Sequence, residues 1–273
     1  MKKRVLFVSQ EIFPFLPETE ISTLSRSLPQ LTQENGKEIR IFMPRYGIVN
    51  ERRHQLHEVI RLSGMNLVVD DHDHPLIIKV ASIPQARMQV YFIDNDEYFR
   101  RKSFLTDEKG KMFEDSDERA IFFAKGVIET VKKLGWKPDI IHCHGWMASL
   151  LPTYLKHMYA DDPHFADSKV VMSMYNQGFD GKISDNLDKK LAFDEIPADD
   201  TKIVKDATYA NMLKLALKNA DGVVKIGEEM DADLAQSIKD SNVSVLDNPA
   251  NEDAAAYSSF YDGLLEENTV TTS

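Results

Sequence analysis

The feature that most constrains this chain is an alternation. Short apolar runs rich in β-branched and aromatic residues are separated by longer stretches whose apolar residues recur at helical spacing. Residues 4–9 form the first run, residues 22–34 carry Leu24, Leu28 and Leu31 on one helical face before Asn35-Gly36, and residues 39–43 form the next run. Strand, helix and strand in that order predict a parallel crossover unit, which is right-handed and builds doubly wound sheets. Pro29 inside the helical pattern predicts a kink or break.

The alternation resumes after Trp136-Lys137-Pro138. A buried strand at 139–142 leads to a turn at Gly145 and a helix carrying Leu150, Leu151, Tyr154 and Leu155. A strand at 170–174, a polar excursion to Asp206, a helix at 209–220 and a strand at 223–226 follow. A helix at 228–238, a strand at 243–246 and a helix near 254–265 complete the pattern.

Between residues 65 and 93 the texture changes to three β-rich pieces, 67–69, 76–82 and 88–93, divided by polar turns at 70–75 and 84–86. They predict an antiparallel meander inserted beside or onto the parallel sheet. The clearest helix spans about 117–134, with Gly135 as its C-terminal cap and Asp115 or Ser116 as its N-cap. The expected fold is therefore α/β, a Rossmann-like, doubly wound, mostly parallel sheet with an inserted antiparallel meander. No repeat or linker divides it, so one domain is expected over residues 1–267 with a frayed tail at 268–273.

Composition narrows the function. The chain of 273 residues has one cysteine, Cys143, so no internal disulfide is possible and a reducing, cytoplasmic setting is expected. The basic start Met1-Lys2-Lys3-Arg4 runs into an apolar stretch that Ser9, Gln10 and Glu11 end too early for a signal peptide. No run approaches the roughly 18 apolar residues of a membrane span. A formal net charge of −11 repels phosphate backbones and anionic lipid, and Arg45, Arg52, Arg53 and Arg61 are too sparse to reverse it. Neither nucleic acid nor membrane is expected as a partner.

In an open α/β sheet, ligands bind beyond the carboxyl ends of the strands. Those ends are Ser9-Gln10-Glu11, Pro44-Arg45-Tyr46, His142-Cys143-His144 and Tyr175-Asn176-Gln177-Gly178, with Asp94-Asn95 of the meander expected off this rim. His142 and His144 lie two apart on a strand, so both face one side and can contact one ligand; a pair of satisfied structural histidines is the other reading. Cys143 points the opposite way, which leaves zinc short of a third ligand. The Asp71-His72-Asp73-His74 run reads as a solvated loop rather than a metal grip. Asp115 reads as a helix cap on its residues alone, and as a carboxylate for a hydroxylated ligand if it serves the rim. The Arg45, Arg52 and Arg53 cluster can hold phosphate or be simply solvated. The chain has no G-x-G-x-x-G and no G-x-x-x-x-G-K, so dinucleotide and ATP-hydrolysis readings lack support.

Four stretches, in this order and spacing, resemble the N-terminal catalytic domain of glycogen (starch) synthases of the ADP-glucose type. They are Val5-Leu6-Phe7-Val8-Ser9-Gln10-Glu11-Ile12-Phe13-Pro14; Met43-Pro44-Arg45-Tyr46; Val90-Tyr91-Phe92-Ile93-Asp94-Asn95 with Tyr98-Phe99; and Glu114-Asp115 through Arg119 leading to Trp136-Lys137-Pro138-Asp139-Ile140-Ile141-His142-Cys143-His144-Gly145-Trp146. Residues 212–224 resemble the helix and strand that close that domain. The resemblance implies one half of a GT-B glycosyltransferase, in which glucose passes from ADP-glucose to an α-1,4-glucan with retention and without metal or another cofactor. It implies His144 near the transferred glucose, Asp115 lining the same cleft, and His142, Arg119 and Asn176 as supporting or substrate-binding positions.

The departures from the family pattern carry equal weight. Where the family has Lys-x-Gly-Gly, this chain has Pro17-Glu18-Thr19-Glu20, which puts acids where a diphosphate should lie. Gly145 replaces an aspartate, and Tyr175 stands where Thr-Ile-His-Asn places its histidine, although Asn176 remains. The chain also ends where the family's nucleotide-holding C-terminal half would begin. A glucosyltransferase impaired by these changes, completed by a separate chain or a second copy, is one expectation. A non-catalytic glucan- or maltooligosaccharide-binding or regulatory protein is the alternative, and a scaffold presenting its cleft face to a protein is a third.

Overall fold

Each crossover helix returns the chain to the same end of the sheet, so the strands it joins run parallel. The computed structural model describes residues 2–250 and 253–270. Its strands are β1 (Arg4–Ser9), β2 (Glu38–Pro44), β3 (His57–Glu58), β4 (Met65–Val69), β5 (His72–Ile83), β6 (Met88–Asp94), β7 (Ile140–His144), β8 (Lys169–Met174), β9 (Gly222–Lys225) and β10 (Ser244–Asp247). The α-helices are α1 (Glu20–Glu34), α2 (Glu51–His54), α3 (Asp96–Phe99), α4 (Ser116–Lys133), α5 (Leu151–His157), α6 (Leu187–Phe193), α7 (Ala198–Thr201), α8 (Tyr209–Asn219), α9 (Ala232–Asp240) and α10 (Ala254–Val270). The strand order is β10-β9-β8-β7-β1-β2-β6-β5-β3, with β4 paired to β5. From β10 to β6 every pairing is parallel, and β3, β4 and β5 join antiparallel. This is the doubly wound sheet with a meander that the sequence predicts.

One detail of the meander differs from expectation. Its last strand, β6, pairs in parallel with β2, Ile41 opposite Val90. Asp94 and Asn95 therefore share the rim with the other strand ends instead of lying off it. The expected turn at 70–75 also contracts. Asp70 and Asp71 alone make it, both at positive φ, as a two-residue hairpin requires, and His72 to Pro75 already belong to β5. His74 is buried there between the Glu97 carboxylate and the Tyr98 hydroxyl, at 2.9 Å from each.

Helix α1 runs unbroken past Pro29, which lies buried on it, so the chain does not break there. Helices α6 and α7 form within the polar excursion that ends at Asp206. Helix α4 comes so near β6 that a Cβ on Gly126 would stand 2.8 Å from Ile93. On the opposite face, α10 lies beside α1, and Tyr261 reaches β7. Each sheet face thus has its own helical layer, which explains the nearly continuous apolar strands. Of the tail expected at 268–273, the backbone of α10 continues to Val270 and residues 271–273 lie outside the described part.

Candidate active site at the switch of strand order

Strand order reverses between β1 and β7, because the chain winds outward from β1 toward β6 and from β7 toward β10. Ligands in such sheets enter the crevice beyond the carboxyl ends of those two strands. Here side chains fill it. The Gln10 backbone N–H donates to the His144 carbonyl at 2.9 Å, and its side-chain Oε1 accepts from the Met147 backbone N–H at 3.4 Å. Gly145 turns the chain with φ +82°, and a Cβ there would meet Gln10 Cβ at 2.7 Å.

His142 and His144 share one face, their rings 4.1 Å apart, and both are fully buried. His142 is satisfied on both nitrogens: Nδ1 lies 2.7 Å from the Tyr261 hydroxyl and Nε2 2.7 Å from the Ser173 hydroxyl. His144 Nδ1 lies 2.8 Å from the Tyr175 hydroxyl, and its Nε2 is buried with no partner. Burial pushes the His144 pKa down to about 3 and that of His142 well below the usual histidine range, so both rings are neutral. Cys143, on the opposite face, is buried, and burial pushes its thiol pKa up. Among the described residues no group of His, Cys, Asp and Glu gathers to hold a metal.

Asp115 sits at the start of α4 but makes no side-chain cap bond. Its carboxylate takes both Arg101 terminal nitrogens, at 2.5 and 3.0 Å. The same guanidinium lies 4.3 Å from the centre of the Phe113 ring. Arg119 is wholly buried behind it. One nitrogen donates to the Phe104 carbonyl at 3.0 Å, and the charge rests against the Tyr46, Phe99 and Phe113 rings. Burial lowers the Arg119 pKa. Asn176 is exposed at the rim, next to Tyr175. The structure thus joins His142 to His144 and ties His144 to the strand end bearing Asn176. No bond or ring contact joins Asp115 to His144.

Contacts that sequence reasoning did not foresee complete the site. Thr19 caps α1 through a reciprocal pair with Ser22, and its hydroxyl also donates to the buried Glu11 carboxylate. Glu11 is held partly toward its neutral form: burial raises its pKa more than the hydrogen bonds from Thr19 and Gln10 lower it. Thr19 before a helix was a readable cap signal; its reach to Glu11 was not. Arg45 is no phosphate ligand in waiting, for Asp94 at 2.9 Å and Glu51 at 3.3 Å neutralise it, and Lys79 joins both acids.

Beside this closed crevice lies an open groove of about 890 Å³. One wall is the loop 106–114, closed by the Thr106–Met112 bridge; the other is the segment 178–186, tied down by Lys182 against Thr208. Phe179 packs edge-on against Trp146 and Tyr209. Lys190 at the groove end clamps Asp117 at 2.9 Å and Glu118 at 2.6 Å.

The fold is the Rossmann-like α/β architecture of one GT-B half. Residues 4–241 match the model of the starch synthase catalytic domain family, and the chain belongs to that family. The glycogen synthase of Chlorobium limicola is 38% identical over 219 residues, 80% of this chain and 44% of that protein. That of Chlorobium phaeobacteroides is 40% identical over 194 residues, 71% of this chain and 40% of that one. The chain therefore spans less than half the length of these curated relatives. The catalytic domain of starch synthase IV from Arabidopsis thaliana, solved with ADP and acarbose, superposes with a TM-score of 0.72 at 17% identity, covering 93% of this chain and 53% of that one, a likeness of fold. Among the described residues no helix is long and apolar enough to cross a membrane.

Proposed function

We propose that this chain is an α-glucan-binding member of the starch synthase family whose own half of the cleft does not support glucosyl transfer from ADP-glucose. The observation that carries the reading is the Thr19 hydroxyl bound to the buried Glu11 carboxylate at the head of α1. A helix start in this position is the natural seat for a diphosphate. In this chain a side-chain acid occupies its neighbourhood, Glu18 and Glu20 flank it, and the lysine of the family pattern is missing. A nucleotide diphosphate would meet the negative charge of Glu18 and Glu20 at this helix start, with no lysine beside it to offset them. His144, closed off by Tyr175, has no open path to a sugar.

Glucan binding is supported by family membership and by the retained Asp115 and Asn176 at the rim. The related starch synthase IV was solved with the oligosaccharide acarbose, which fits this reading. The reading places the protein in the cytoplasm, with Cys143 as a buried thiol.

The test is calorimetric titration with maltoheptaose and with ADP-glucose, together with glucose incorporation into glycogen. Maltoheptaose binding without ADP-glucose binding or incorporation is expected. Incorporation by this chain alone would overturn the proposal.

The second reading is a transferase completed by a further polypeptide or a second copy. It is favoured by the bidentate Arg101–Asp115 pair, which keeps a carboxylate of the family motif ordered and partly exposed at the rim. Incorporation appearing only on addition of a partner half would establish it.

A further inference from the structure

We propose that the pocket between Arg40 and Arg87, at the amino ends of β2 and β6, is a binding site for a small phosphate dianion, taken as the free ion or as the phosphoryl group of a monoester. It lies at the opposite end of the sheet from the crevice and stands apart from the glucan reading. Strands β2 and β6 run parallel, so both begin at this end, and Arg40 comes one step before the Ile41–Val90 pair. From Arg40 to Pro44, where β2 reaches the rim, is about 13 Å of strand. The pocket holds about 230 Å³, below the roughly 300–1,000 Å³ usual for drug-sized ligands and suited to a small ion.

Charge selects the ligand. In a chain with 44 acidic against 33 basic residues, this lining has two arginines and no acid; the rest of it is two glutamines, a tyrosine and two apolar side chains. Among the described residues neither arginine has a carboxylate within ion-pair distance. Glu38, two residues before Arg40 on β2, acts on it from further away, but both its oxygens are taken, one by Trp136 Nε1 at 2.5 Å and the other by Arg4 Nε at 3.2 Å. Two guanidinium charges match the roughly −2 that a phosphate monoester carries near pH 7, whereas a carboxylate would leave one of them over.

The first arginine is fixed in place. Arg40 is half-buried, its Nη1 donates to the Tyr91 hydroxyl at 2.7 Å, and its guanidinium carbon lies 5.7 Å from the Tyr91 ring centre and 5.3 Å from that of Trp136. Its Nη2 has no protein partner and is open to solvent. The group is therefore ordered before a ligand arrives and keeps a donor to spare, which limits the cost of binding. Arg87 supplies the second cation from the turn that leads into β6. It stands at φ +52°, a position that suits glycine or asparagine better, so the turn itself does not call for arginine. The Gln33 and Gln89 amides add neutral donors to the same lining.

The experiment is amide NMR of the full chain titrated with phosphate, methyl phosphate and acetate at constant ionic strength, for wild type, Arg87→Gln and Arg40→Gln. Thermal unfolding of each variant checks the fold. We expect saturable shifts at the amides of Arg40 and residues 87–91 with phosphate or methyl phosphate, and an affinity about tenfold weaker in each variant, the loss usual for one charge-assisted contact. Tighter binding of methyl phosphate would mark an ester as the ligand and tighter binding of phosphate the free ion; both support the site. Shifts that do not saturate there, shifts that either variant keeps at wild-type affinity, or acetate binding as tight as phosphate would overturn it. The Arg87 side chain is exposed and has no protein partner, so should Arg40→Gln fail to fold, Arg87→Gln decides alone.

Discussion

The Tyr175 hydroxyl lies 2.8 Å from Nδ1 of His144, and both side chains are buried. Tyr175 stands where the family pattern has a histidine, so one substitution lays a phenol across the imidazole that the resemblance puts nearest the sugar. Removing the hydroxyl leaves His144 buried with neither nitrogen paired. Tyr175→Phe should cost about 1–3 kcal/mol of stability, read as a lower urea midpoint at unchanged slope.

The buried histidines make stability depend on pH. His144 titrates at about 3 in the folded protein and near 6.5 when unfolded, so between those values the unfolded chain binds the extra proton. Its contribution is whole above about pH 6.5 and declines by roughly 1.4 kcal/mol per pH unit as pH falls toward 3. His144→Asn should flatten the fall in unfolding free energy between pH 7 and pH 5 relative to wild type. An unchanged slope would mean that the ring is not held neutral.

Glu11 works in the opposite direction. Its raised folded pKa favours the folded state at acid pH and opposes it as pH rises through that value. Glu11→Gln keeps an acceptor for Thr19 and removes the charge. It should be neutral or stabilising by up to about 1 kcal/mol at pH 8, as judged by melting temperature. A large loss at pH 8 would mean that the ionised carboxylate is required.

Asp94 is almost wholly buried between Arg45 and Lys79. Asp94→Ala should cost about 3–5 kcal/mol, because it leaves Arg45 and Lys79 sharing the half-exposed Glu51 carboxylate between them in a partly dry setting. Chemical denaturation measures this, and a loss under 1 kcal/mol would contradict it.

Restoring the family's aspartate at Gly145 should fail structurally. The position has φ +82°, ψ 160°, a region essentially reserved for glycine, and its Cβ would strike Gln10. Gly145→Asp should destabilise by about 1–3 kcal/mol, with no gain of transfer activity.

The sequence by itself determined the α/β class, the parallel winding, the main helix α4 and the family. Each of these depends on periodicity within a segment or on motifs in order, and both survive without knowledge of distant contacts. The sequence also placed His142 and His144 on one strand face, since alternation along a strand is local. It left β6 off the rim because parallel pairing with β2 is a contact between segments some fifty residues apart, as Ile41 opposite Val90 shows. Only the tertiary structure decided that Tyr175 covers His144, that Asp115 answers Arg101 instead of its helix, that Glu11 meets Thr19, and that Lys190 closes a groove from 72 residues beyond Glu118. Each of those depends on which side chains the packed layers bring together and dry out, and no local pattern encodes that.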